Sequence, residues 1–117
     1  MNTLIITGNL GADPELRFTA TGQAVVNVRI ADTPRKKDAS GLWIDGETMW
    51  LSATAWGRDA EAVAETLRRG DRVLASGRLG ARTWEKDGQQ RTTVEMTIDH
   101  IGKVAKPTTD VVGDAPF

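Results

Sequence analysis

The sequence predicts an all-β domain interrupted by one helix. Apolar and polar residues alternate with period two in five segments, turn signals separate those segments, and one stretch after Gly57 switches to helical spacing.

Leu4, Ile6 and Leu10 alternate with Thr3, Thr7 and Asn9, which predicts a first strand from about Asn2 to Leu10, ended by Gly11 and Asp13-Pro14. After the turn signal Thr21-Gly22, Ala24, Val26, Val28 and Ile30 alternate with Val25, Asn27, Arg29 and Ala31. This second strand carries Arg29 on its more polar face. From Thr33 to Gly46 the alternation lapses into Pro34, Arg35-Lys36-Lys37, Ser40-Gly41 and Asp45-Gly46, which reads as a long polar loop. Loops of that length in compact domains are functional or disordered.

The third strand is expected from about Thr48 to Trp56. Ala60, Val63, Ala64 and Leu67 then fall at i, i+3, i+4 and i+7, one stripe of a helix from about Arg58 to Arg69. Arg68 and Arg69 suit its C-terminal dipole, and Gly70 suits the position just past its end. A fourth strand, Arg72 to Trp84, places Arg72, Ser76, Arg78, Arg82 and Trp84 at even positions. Asp87-Gly88 marks a hairpin turn, and the fifth strand runs from about Gln90 to Ile101.

Three strands, a helix and two strands is the order of the OB-fold, a five-stranded Greek-key barrel with its helix between strands three and four. Such barrels bind oligonucleotides across one face, although the fold alone establishes no role.

Composition narrows the classes. The 117 residues fit one domain, and 39% hydrophobic with 26% charged side chains is ordinary for a soluble globular chain. With no Cys and His100 as the lone histidine, the usual zinc sites and the Ser-His and Cys-His nucleophiles lack their parts. His100 reads as a strand-end residue. Asp13, Glu15, Asp45, Glu47 and Asp59 are scattered among turns, caps and a helix start, and no Walker-type phosphate loop is present. Catalysis, metals and cofactors are therefore not expected. No run has the length of a membrane span and no signal pattern leads the chain, so a cytoplasmic protein is expected.

The net charge of -1 argues weakly against a nucleic-acid partner. Residues 1 to 106, however, hold all 15 basic and 14 of the 16 acidic side chains, a balance of +1. Local patches must decide.

The decisive patch is Met49-Trp50-Leu51-Ser52-Ala53-Thr54-Ala55-Trp56. Strand parity sets Leu51, Ala53 and Ala55 on one face and Trp50, Ser52, Thr54 and Trp56 on the other. Two indoles beside two hydroxyls are too polar for a core and too aromatic for an idle surface, whereas bases stack on such platforms. The competing reading is that the indoles cap a small core.

Gly8-Asn9-Leu10-Gly11-Ala12-Asp13-Pro14-Glu15-Leu16-Arg17, with Gly22 and Asn27, resembles the opening of bacterial single-stranded DNA-binding proteins. Leu67-Arg68-Arg69-Gly70-Asp71-Arg72-Val73, Gly77-Arg78-Leu79, Arg82-Thr83-Trp84-Glu85, Asp87-Gly88 and Arg91 resemble the same family's second half, and the likeness spans about Met1 to Val104. The resemblance implies a homotetramer of OB-folds that binds and protects single-stranded DNA in replication, recombination and repair without reading its sequence.

It also implies stacking aromatics at Trp50, Trp56 and Trp84. Lys36 stands where one type of member has a further aromatic in the long loop. Trp43 is open between base contact and hairpin packing. Phosphate contacts are expected among Arg29, Arg35, Lys36, Lys37, Arg78, Arg82, Lys86 and Arg91, with Arg78 and Arg82 favoured because they share parity with Trp84.

Residues 1–104 are thus read as the binding domain and 105–117 as a short flexible tail. Its end, Asp114-Ala115-Pro116-Phe117, resembles the acidic Pro-Phe tip by which family members engage replication and repair partners. Here the tip has one acid rather than a cluster, so either partner recruitment is weak or the ending is a chance echo. An OB-fold adaptor for RNA or protein is the other reading of the whole domain, because stacking and phosphate contacts do not sense a 2′-hydroxyl.

Overall fold

The computed structural model describes residues 1–105. Its elements are β1 (Leu4–Leu10), β2 (Glu15–Phe18), β3 (Ala24–Asp32), β4 (Arg35–Lys37), β5 (Trp43–Asp45), β6 (Met49–Trp56), α1 (Arg58–Thr66), β7 (Arg72–Lys86) and β8 (Gln89–Lys103).

The main sheet runs in the order β1-β7-β8-β6-β3-β2, and β1 also pairs with β3, so five long strands close on themselves. Closure needs the one parallel contact, β6 with β8, where Ala53 lies opposite Met96. This is the expected five-stranded barrel with a helix feeding from its third long strand to its fourth.

Period-two alternation builds the interior. Val26, Val28 and Ile30 of β3, Leu51, Ala53 and Ala55 of β6, Val73 and Ala75 of β7, and Met96 and Ile98 of β8 are buried. The helix closes one end with Ala60 and Val63, and Leu67 follows them into the core. Burying Val63 and Leu67 contributes about 1.5–3 kcal/mol each, which is enough to seat a nine-residue helix that is too short to persist alone. Asp59 and Glu61 in its first turn complement the dipole.

Three expectations need correction. The helix ends at Thr66 rather than Arg69, because Leu67 turns extended to enter the core. Arg68 still serves the helix end through its side chain, donating from Nη1 to the Ala64 and Leu67 carbonyls at 2.8 Å each. Gly70, with φ of +88°, belongs to the next turn, in which the Asp71 N–H donates to the Arg68 carbonyl at 3.1 Å. A short strand, β2, follows Pro14 where only a break was expected.

The segment from Thr33 to Gly46 is a hairpin rather than an irregular loop, with Arg35 opposite Asp45 and Lys37 opposite Trp43. One carboxylate organises its tip. Asp38 Oδ1 accepts from the Ser40 N–H at 2.9 Å, the Ser40 hydroxyl at 2.7 Å and the Leu42 N–H at 3.0 Å. These donors hold the Asp38 carboxyl below the usual carboxylate range, the Ser40 hydroxyl most and the Leu42 amide next. Thr33 and Thr48 join hydroxyls at the base, 2.6 Å apart.

The β7–β8 ladder extends well past the barrel as a long ribbon and turns at Asp87 and Gly88, both with positive φ as a two-residue primed turn requires. A bulge sets Ser76 opposite His100 and Gly77 opposite Ile98, leaving Asp99 without a cross-strand partner.

Candidate nucleic-acid interface

The pairing registers assemble a single outer face. Val25, Asn27, Arg29 and Ala31 of β3 lie opposite Trp56, Thr54, Ser52 and Trp50 of β6, respectively. Ser52 and Thr54 lie opposite Glu95 and Thr97 of β8, which in turn face Gly80 and Arg78 of β7. Along the ribbon the same parity continues through Arg82 opposite Thr93 and Trp84 opposite Arg91. Cross-strand partners share a face, so Trp50, Trp56, Trp84, Arg29, Arg78, Arg82 and Arg91 all project to one side of the sheet.

Burial separates the two readings of the tryptophans. Trp50 is 51% exposed and Trp56 42%, while Leu51, Ala53 and Ala55 between them are buried at 7% or less. The indoles do not cap the core. Between them, Asn27 Nδ2 donates to the Ser52 and Thr54 hydroxyls at 3.2 Å each, which fixes a polar strip in the middle of the face.

Trp50 rests in a built niche. The Arg29 guanidinium carbon lies 5.4 Å from its ring centroid, within cation–π range. A Cβ on Gly11 would come within 2.6 Å of the ring's Cζ3, so the absence of a side chain there lets the indole lie close to the backbone. Trp84 is oriented differently: its Nε1–H donates to the Thr93 hydroxyl at 3.2 Å, and it is half-buried on the ribbon.

The comparisons with known proteins identify the family. The model of the "Single-strand binding protein family" matches residues 1–104. The chain belongs to this family. It is 52% identical over 102 residues to the single-stranded DNA-binding protein of Paenarthrobacter aurescens, covering 86% of this chain and 60% of that one. The corresponding protein of Mycobacterium leprae is 50% identical over 115 residues, covering 97% and 68%. The chain therefore spans roughly three-fifths to two-thirds of these relatives. Among solved structures, the small single-stranded DNA-binding protein of Streptomyces coelicolor superposes with a TM-score of 0.75 at 32% identity, covering 88% of this chain and 94% of that one. A Plasmodium falciparum SSB in complex with ssDNA has the same fold at 19% identity, with a TM-score of 0.78 over 90% of this chain and 96% of that one.

In this member of the single-strand binding family the expected cations divide by partner. Arg78 pairs with Asp99 at 3.5 Å, Arg82 with Glu95 at 3.1 Å and Arg35 with Asp45 at 3.2 Å. All three arginines are mostly exposed, so each pair is worth ~0–1 kcal/mol. Lys37 sits 5.3 Å from the Trp43 ring centroid within the β4–β5 hairpin, so Trp43 does pack there while remaining 59% exposed. Lys36 takes the opposite hairpin face, with Ile44 across from it, away from Arg35, Lys37 and Trp43. Lys86 is exposed at the ribbon tip.

Parity along β6 and β7 was readable from the sequence. Its continuation into Asn27, Glu95, Thr93 and Arg91 was not, since it depends on which strands pair. Asp13, one of the scattered carboxylates, is structural: its Oδ1 accepts from the Arg69 N–H at 2.8 Å. Among the described residues no three His, Cys, Asp or Glu side chains are grouped to hold a metal, and no helix is long and apolar enough to cross a membrane. The tip, Asp114-Ala115-Pro116-Phe117, lies outside the described residues.

Proposed function

We propose that this chain binds single-stranded DNA without reading its sequence, stacking bases on Trp50, Trp56 and Trp84 while arginines and lysines follow the phosphates. The observation that carries the reading is the single continuous face on which three indoles and Arg29, Arg78, Arg82 and Arg91 converge. Stacking is worth roughly 1–3 kcal/mol per base and accepts any base, because every base has a π-face. The acidic residues on the face keep net attraction modest, so affinity rests on stacking as much as on charge.

The role is that of a binding module rather than an enzyme, acting on exposed strands in replication, recombination and repair in the bacterial cytoplasm. Arg35, Lys37 and Trp43 extend the path along one face of the β4–β5 hairpin, with Lys36 on the other face, and Lys86 extends it along the ribbon. The working assembly is a homotetramer. Ile5 and Leu74, which share the outer face of β1 and β7 and are 67% and 50% exposed, supply apolar surface for contact between copies. Light scattering that returned a monomer at micromolar concentration would refute the assembly. The tip from Asp114 to Phe117 recruits partner proteins, and its deletion is expected to spare DNA binding while reducing their capture.

Titration with an unstructured dT oligomer, followed by tryptophan fluorescence, tests the function. Strong quenching that weakens with salt is expected, and an unchanged signal would overturn the reading. Competition with an rU oligomer separates DNA from RNA. Equal or tighter RNA binding would favour the RNA adaptor instead.

A further inference from the structure

The edge strand β2 alternates in a way the main face can use. Leu16 and Phe18 lie opposite Val26 and Ala24, on the core side of the sheet, while Glu15 and Arg17 lie opposite Asn27 and Val25 on the outer side. Val25 is itself opposite Trp56, so Arg17, Val25 and Trp56 form one cross-strand row. With strands about 4.8 Å apart, Arg17 is about 10 Å from Trp56, measured between backbones.

Arg17 differs from the favoured cations of the face. Arg78 and Arg82 are each held by a carboxylate and Arg29 lies over Trp50, whereas Arg17 is exposed and makes no ion pair among the described residues. Glu15 shares its face one row along, beside Asn27, without pairing to it. An unpaired guanidinium at the margin of a stacking platform is suited to a phosphodiester, whose oxygens it can take two at a time.

We propose that the nucleic-acid path continues from Trp56 across β3 onto β2, where Arg17 holds a phosphate of the strand whose base stacks on Trp56. The inference rests on the function proposed above and lengthens its footprint to the sheet's outer edge. It makes Arg17, rather than the carboxylate-paired Arg78, the cation at the Trp56 end.

Arg17→Gln and Arg17→Lys, compared with the unaltered chain by dT-oligomer titration over a range of salt, test it. Each phosphate contact on a single strand contributes about 0.7 to the slope of log affinity against log salt. Arg17→Gln should shallow the slope by about that amount per engaged copy and weaken binding several-fold at low salt. Arg17→Lys, which keeps the charge, should restore the slope. If the unaltered chain binds but Arg17→Gln leaves slope and affinity unchanged, or Arg17→Lys fails to restore the slope, the extension to β2 is wrong and the wider function stands. If the unaltered chain does not bind at all, both fall.

Discussion

The Arg29 guanidinium and the Trp50 indole stack across neighbouring strands, 5.4 Å from carbon to ring centroid, and Gly11 leaves room at the ring's edge. The contact joins β3 and β6 to the bend that follows β1, since the Gly11 N–H donates to the Arg29 carbonyl at 3.0 Å and Ala31, two residues on, lies opposite Trp50. Under the proposed function, an indole so held would offer a fixed ring to a base at little entropic cost, which is how preorganisation strengthens binding.

Gly11→Val should therefore act through Trp50. The added side chain meets the far edge of a side chain rather than backbone, so the indole tilts and the fold survives. Circular dichroism and melting should change little, while oligomer affinity falls by about the ~1–3 kcal/mol of one stacked base. A Gly11→Val protein that binds normally would show that the niche does not matter.

Glu95 places a carboxylate at the centre of the face, level with Ser52, and holds Arg82 at 3.1 Å. Replacing it with Gln removes repulsion toward phosphate and frees the guanidinium. Affinity for a dT oligomer should rise about two- to fivefold, equivalent to about 0.5–1 kcal/mol. Weaker binding would mean that Glu95 positions Arg82 rather than opposes the ligand.

Acid should loosen the molecule at two carboxylates. Asp71 is lowered chiefly by the hydrogen bond it accepts from the Arg68 N–H, at 2.8 Å, and further by Lys103. Asp38 is lowered by Ser40 and Leu42. A folded-state value below the unfolded one gives stability that is fully present above the unfolded carboxylate range, about pH 4, and lost as pH falls through the lowered value. Melting temperature should decline in that acid window, and less steeply in Asp71→Asn. Amide exchange at Leu42 should accelerate there as the hairpin tip opens. Identical acid profiles for Asp71→Asn and the unaltered chain would contradict this assignment.

Much of the fold was legible because the long strands alternate strictly. Leu51, Ala53 and Ala55 against Trp50 and Trp56 is a pattern that only a strand with one buried face explains. What escaped reading was short or non-local. β2 and the β4–β5 pair are three or four residues each, too few for alternation to register, and the hairpin's order comes from the Asp38 carboxylate rather than from apolar residues. The helix end was misplaced because the arginines and Gly70 carry termination signals that Leu67, drawn inward, pre-empts. At the site, indole parity was local information, but the place of Glu95, Asn27 and Arg17 on the same face follows only from strand pairing.

Three indoles on one face, exposed at Trp50 and Trp56 and half-buried at Trp84, are proposed to carry the binding. Trp50→Ala, Trp56→Ala and Trp84→Ala, each checked for native circular dichroism and titrated with one dT oligomer, measure it directly. Folded proteins are expected in which each change weakens binding roughly 5- to 150-fold, matching about 1–3 kcal/mol per stacked base. Proteins that unfold, or that stay folded and bind as tightly as the unaltered chain, would contradict this reading.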